Sequence, residues 1–206
     1  MKITTVIVTR NKSASVKTLH TLLKLNIVCL ENNVHNKIMF TNDDFSSRKA
    51  TLQKNLKTTD RLLWIDYGVA VDEVSLRQVV TRDWQWHGVV FPCVTEGINW
   101  EQFKEEINTP EPISQKGLDF DTTVDKKVRD DFYTIVKTNP KCFVLDTKHL
   151  LKNMKKMSHD FEELFSELNT TKFKLVAFTS ARLIVTYPHE CLGNILGAAG
   201  VKANTA

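Results

Sequence analysis

The chain has 206 residues, the size of one ordinary domain, and its 42% hydrophobic and 25% charged content excludes the disordered and fibrous classes. Lysine and arginine outnumber aspartate and glutamate by 28 to 24, a net charge of +4, which favours phosphate-bearing ligands without marking a nucleic-acid binder. Of the seven glycines none precedes Gly68, so a dinucleotide fingerprint or a Walker loop after an early strand is excluded.

Taken in chain order, residues 3–9 (ITTVIVT) are β-branched and short, the composition of a buried strand. Residues 13–25 place Val16, Leu19, Leu22 and Leu23 at helical spacing behind a capping serine. A second strand is expected at 27–30 (IVCL), with Glu31 at its end, and a third at 37–40 (KIMF). Thr41-Asn42-Asp43-Asp44 offers caps for a helix over 45–56. Residues 61–65 (RLLWI) form the fourth strand and run into Asp66-Tyr67-Gly68. A helix over 74–80 and a fifth strand over 88–94 follow. This rhythm predicts an α/β fold, a central mixed, mostly parallel sheet flanked by helices.

Beyond residue 100 a short helix at 101–107 leads into a polar stretch, 108–125, expected to be a long loop of the kind that is more often functional than idle. A strand at 142–145, a basic helix at 148–157, a helix at 160–168 and strands at 173–178 and 183–187 complete the reading. Residues 1–190 are expected to form one domain, with 191–206 a flexible tail or a linker to further domains of a longer polypeptide.

Cys29, Cys93, Cys142 and Cys191 are far apart and form no C-x-x-C pair, so buried free thiols in a reducing compartment are expected. The first apolar run stops at Thr9-Arg10-Asn11-Lys12, unlike a signal peptide, and no stretch of about 18 apolar residues spans a membrane. The expected location is the cytoplasm.

Ligands of open α/β sheets sit at the carboxyl ends of the strands. The polar residues there are Thr9, Arg10, Glu31, Asp66, Thr95, Glu96 and His189, a set that suits a phosphate with its divalent metal better than nucleophilic catalysis by serine or cysteine. Asp66 follows Leu62, Leu63, Trp64 and Ile65, so its carboxylate is costly unless a cation or metal pairs it. The alternative reading is ordinary Asp-Tyr-Gly turn chemistry.

These residues resemble nucleotide-sugar-dependent glycosyltransferases of the GT-A fold, a Rossmann-like architecture. The resemblance rests on an ordered set over residues 1–190. It comprises the strand ending in Thr9-Arg10, the helix bearing Arg48 and Asn55, and Trp64-Ile65-Asp66-Tyr67-Gly68-Val69 at the place of the D-x-D element. Ser158-His159-Asp160-Phe161-Glu162-Glu163-Leu164 is similar to the acidic helix start, and Val185-Thr186-Tyr187-Pro188-His189 to the closing segment. The chain also resembles glycosyltransferases encoded by large algal viruses such as the chlorella viruses, which would place it in the host cytoplasm.

The resemblance implies a hexosyltransferase-type reaction. A sugar would pass from a UDP-sugar to a glycan or glycoprotein acceptor, a capsid-protein glycan among the candidates, with no nucleic-acid partner. It implies Mn²⁺ or Mg²⁺ on Asp66 and His189, with Asp72 as either a further ligand or a helix cap. The nucleotide would lie on Thr9, Arg10, Glu31, Arg48, Asp66, Tyr67 and Gly68, and Asp160 would be the catalytic base or else a helix cap. Trp100 and Glu96 are the acceptor candidates, Trp100 through sugar stacking, although tryptophans such as Trp84 and Trp86 more often anchor cores. One position departs from the pattern: Gly68 stands where the second carboxylate of the D-x-D belongs. That departure keeps a non-catalytic nucleotide-sugar-binding module in view. A sugar-phosphate nucleotidylyltransferase is the nearest other enzyme, and the glycine-free Thr9-Arg10-Asn11-Lys12-Ser13 argues against it.

Overall fold

The computed structural model describes residues 1–95, 98–110, 116–153 and 160–179. β1 (Lys2–Thr9) is buried on both faces from Ile3 onward, as its unbroken β-branched run demands. α1 (Val16–Glu31) crosses to β2 (His35–Asn42), and α2 (Phe45–Asn55) crosses back to β3 (Arg61–Ile65). Both β2 and β3 pair with β1 in parallel. There follow α3 (Glu73–Val80), β4 (Gly88–Val90), α4 (Trp100–Glu106), β5 (Thr122–Arg129), β6 (Phe132–Thr138), β7 (Cys142–Asp146), α5 (Thr147–Asn153), α6 (Phe161–Thr170) and β8 (Leu175–Phe178). The strands lie in the order β2-β1-β3-β7-β4-β8-β6-β5.

The sheet is α/β and Rossmann-like in its first half, but it is not mostly parallel. Among the described strands only β1–β2, β1–β3 and β4–β8 run parallel; β3–β7, β4–β7, β6–β8 and β5–β6 are antiparallel. Two insertions cause this. β7 enters between β3 and β4 in the opposite sense, and the β5–β6 hairpin closes the far edge around Asp130, whose φ is +46°. That hairpin starts at Thr122, inside the end of the stretch expected to be loop, and runs on through residues for which no element was expected. Its exposed, lysine-rich β5 (TTVDKKVR) has no apolar run to announce it.

The strand expected at 27–30 is instead the end of α1. Val28 and Cys29 continue the buried face of Thr18, Thr21, Leu22 and Leu25 at helical spacing, and this tertiary packing overrides the local β-branched composition. The strand at 183–187, the tail at 191–206, Cys191 and the end of the helix expected over 148–157 lie outside the described residues. Among those described, Cys29, Cys93 and Cys142 are buried and free, and no helix is long and apolar enough to cross a membrane.

Two cores sandwich the sheet. α1 and α3 cover one face through Leu22, Leu25, Leu76 and Val79. On the other, α2, α5 and α6 contribute Leu52, Leu150, Leu164 and Phe165. β1 and β2 are neighbours, yet the chain leaves β1 toward the α1 face and β2 toward the α2 face. Adjacent strands whose connections diverge leave a crevice at their carboxyl ends, where ligands of open α/β sheets bind.

Candidate functional site

At that crevice Thr9-Arg10-Asn11-Lys12 faces Asn42-Asp43-Asp44 across a hollow of about 400 Å³. A neighbouring hollow of about 710 Å³ shares Thr9, Lys12 and Asn42 and continues along Phe40, Leu19 and Thr51. The loop after β1 turns without glycine. Arg10 and Ser13 exchange backbone hydrogen bonds of 3.1 and 2.9 Å, while Asn11 and Lys12 hold φ of +50° and +60°. Such a two-residue turn needs both central residues left-handed; asparagine accepts this readily and lysine at some cost. The Arg10 and Ser13 amides are thereby used within the turn and are not offered to a ligand.

Four charges meet at the rim. Asp43 accepts from Arg10 Nε at 2.7 Å and also pairs with Arg48. Arg48 Nη2 reaches both oxygens of Asp66, at 3.1 and 3.2 Å. The Asp43 carboxyl is held below its ordinary value: burial raises it, but hydrogen bonds from Arg10 and Arg48 together outweigh that. Beneath the cluster, the Arg48 guanidinium lies 5.9 Å from the Trp64 ring and 5.8 Å from Phe161, and Arg10 stands 5.2 Å over Tyr67. Trp64 is itself fixed by Phe161, edge-on at 5.0 Å, and by a parallel Phe143.

Asp66 leaves β3 into a tight turn. Val69 N–H donates to the Asp66 carbonyl at 3.3 Å, Tyr67 N–H donates to Asp66 Oδ1 at 2.8 Å, and Gly68 has φ of +79°. The third residue of such a turn requires a positive φ, which explains glycine here. Turn geometry and cation pairing are therefore both true of Asp66.

The structure thus brings Thr9, Arg10, Arg48, Asp66, Tyr67 and Gly68 to one end of the sheet. Glu31 is not among them. α1 runs back along β1, so Glu31 lies at the opposite end of the strands, 3.5 Å from Arg77. Asp160 precedes Phe161 and caps α6, accepting from Glu162 N–H at 2.9 Å. Asp72 caps α3 at 3.0 Å. Trp100 opens α4, 42% exposed, with its ring edge-on to Phe103 at 5.7 Å. Trp84 lies under Arg61 and Trp86 against Phe132, both as core anchors. Glu96, His159 and His189 lie outside the described residues.

Asp43 is the residue whose role the motif reading passes over. Asp44 alone caps α2, accepting from Ser47 N–H at 2.8 Å, with its carboxyl pulled down to about 2 by the Ser46 hydroxyl and the Ser47 amide. Two adjacent carboxylates at a strand end, where one cap suffices, were the available signal.

Of the two expected metal ligands, Asp66 is among the described residues and His189 is not. Among those described, no three His, Cys, Asp or Glu side chains are grouped to hold a divalent ion. Asp66 already faces a guanidinium on both oxygens, and Gly68 contributes no side chain.

No protein-family model and no curated protein sequence matches the chain. In three dimensions it is similar to A197 from STIV, with a TM-score of 0.52 at 13% identity over 93% of this chain and 97% of that one. It is also similar to residues 1–349 of TarS from S. aureus, with a TM-score of 0.50 at 14% identity over 90% of this chain and 60% of that one. At these identities the likeness is one of fold.

Proposed function

We propose that the chain is a nucleotide-sugar-dependent glycosyltransferase of the GT-A type, taking a UDP-sugar as donor and a glycan or glycoprotein hydroxyl as acceptor. The observation that carries this reading is the crevice between the carboxyl ends of β1 and β2, with the Arg10–Asp43–Arg48–Asp66 cluster at its rim. The ordered motifs around Thr9-Arg10, Asp66 and Asp160, and the fold shared with A197 and TarS, support it further.

In this reading the uridine lies in the hollow between Thr9–Lys12 and Asn42–Asp44. Asn42 and Asp43 offer acceptors and donors to base or ribose. The departing diphosphate is met by Arg10, Arg48 and Lys12, because planar guanidinium groups bind phosphate oxygens in pairs. Arg48 then changes partners, from carboxylate to phosphate, without leaving its aromatic platform. Asp160, at the start of α6 beside Phe161, is the acceptor-side carboxylate, and Trp100 a stacking surface for the acceptor sugar. Arg10, Arg48 and Lys12 carry the diphosphate's charge in these steps, and His189, the second expected metal ligand, lies outside the described residues.

Calorimetry with UDP, GDP and CMP, each with Mn²⁺ and with chelator, tests the reading. UDP is expected to bind best and to keep binding in chelator. No binding of any nucleotide sinks the proposal, whereas binding only with Mn²⁺ returns a metal to it. A second reading, a binding module without turnover, draws on the engagement of the Asp160 carboxylate as a cap. Tight UDP-sugar binding with neither transfer nor hydrolysis would favour it.

A further inference from the structure

At the amino ends of the parallel strands, opposite the crevice, two imidazoles are stacked. The ring of His87, just before β4, lies against that of His149 on α5, with centroids 4.0 Å apart and 10° between the planes. Neither takes part in the nucleotide chemistry of the crevice.

His87 ties three segments together. Its N–H donates to the Lys174 carbonyl at 2.9 Å, its carbonyl accepts from Asp146 N–H at 2.8 Å, and its Nδ1 accepts from Lys174 N–H at 3.0 Å. These bonds seat the start of β4, a strand of only three residues, between β7 and β8. Phe173 closes on the ring at 5.3 Å.

The bond to Nδ1 fixes the chemistry of the ring. A backbone N–H can only donate, so Nδ1 offers a lone pair and the proton of the neutral ring sits on Nε2. That leaves the ring no free lone pair for a metal ion. On protonation Nδ1 becomes a donor facing a donor, and the bond from Lys174 is lost. His149 is set the other way. Its backbone N–H and its Nδ1 both face Asp146 Oδ1, at 2.8 and 2.9 Å, so a carboxylate supports its charged form.

We propose that His87 is a proton-operated latch, closing the amino end of β4 onto β8 while neutral and releasing it when protonated. The latch is independent of what the crevice binds. Among the described residues the charged groups facing it are His149 from α5, Asp146 from the end of β7 and Lys174 from the segment before β8. Burial, His149 and Lys174 hold the imidazolium below its ordinary 6.5, and Asp146 opposes them without prevailing. The folded state therefore binds this proton more weakly than the unfolded chain does. The stabilisation is present above pH 6.5 and is lost as pH falls from there through the lower folded value.

Heteronuclear NMR on the full chain reads the tautomer of the parent directly, with no variant to fold. At about pH 7.5 the His87 ring is expected to carry its proton on Nε2 and none on Nδ1. Amide hydrogen exchange, corrected for its intrinsic pH dependence, then reads the latch. The Lys174 amide is expected to lose about fivefold in protection between about pH 7.5 and about pH 5.5, the scale of one hydrogen bond. His87→Asn keeps an acceptor near the Nδ1 position without titrating, and is expected to abolish that loss. His149→Phe keeps a stacked ring without the charge, and is expected to raise the pH at which His87 titrates. A His87 ring protonated on Nδ1 at the higher pH overturns the proposal. So does Lys174 protection that fails to fall in the parent, or that falls as far in His87→Asn, and so does a His87 midpoint that His149→Phe leaves unmoved or lowers.

Discussion

Two carboxylate sites share one end of the sheet and are held in opposite ways. Asp121 is fixed by the backbone: its oxygens accept from the amides of Cys93 and Lys141, each at 3.0 Å, and from the Thr122 hydroxyl at 2.8 Å. Asp43 and Asp66 are held chiefly by Arg10 and Arg48, long side chains that can swing. A carboxylate tied to amides is a joint, here locking the segment after β4 to the residue before β7. A carboxylate tied to guanidinium groups has partners that can change when an anion arrives. The two sites also touch, because Asp66 N–H donates to the Lys141 carbonyl at 2.8 Å. The rigid site thus positions the exchangeable one.

The sharpest break of this contrast is to remove each carboxylate in turn. Asp121→Ala leaves buried amide donors without an acceptor and is expected to cost about 3 kcal/mol, a fall in Tm of roughly 6–12 °C by thermal denaturation. Asp66→Asn and Arg48→Ala should both melt within about 3 °C of the parent, and Arg48→Ala should bind UDP at least about tenfold more weakly, the scale of one lost charge-assisted hydrogen bond. If Asp66→Asn melts as early as Asp121→Ala, the division between joint and exchangeable site is wrong.

The smallest effect is one of sign, read from pH-dependent stability. The Asp43 carboxyl is lowered from its ordinary 3.8, so its stabilisation is present above that pH and lost as pH falls through the lower folded value. Burial raises the Asp121 carboxyl above 3.8 despite its hydrogen bonds, so the folded state gains relative stability as pH falls through that raised value. Measured against Asp43→Asn and Asp121→Asn respectively, the parent's margin should shrink on acidification in the first case and grow in the second. Parallel slopes would erase the distinction.

Much of the first half was legible because local and tertiary signals agree there. The β-branched 3–9 and the apolar 61–65 admit only buried strands, and Asp66 was marked by following four apolar residues. Where the signals conflicted, composition misled. The run 27–30 looks like a strand, but Leu22, Leu25, Val28 and Cys29 bury as one helical face, and this carried Glu31 to the amino end of the strands, away from the crevice. β5 could not be seen, since its exposed TTVDKKVR has no apolar run and its turn at Asp130-Asp131 no glycine, whereas its partner β6 (FYTIVKT) does carry an aromatic and β-branched run. The antiparallel β7 could not be seen either, because strand direction is set by connections and not by composition. Asp43 was obscured by its neighbour Asp44, whose capping role accounts for only one of the two carboxylates.

The central claim is that the β1–β2 crevice holds the nucleotide, and photolabelling with 5-azido-UDP tests it most directly. After irradiation, digestion and mass spectrometry, the label is expected on peptides containing Thr9–Lys12 or Asn42–Asp44, competed by UDP and weakened in Arg48→Ala. Label confined to peptides elsewhere, or incorporation that excess UDP leaves unchanged, would contradict it.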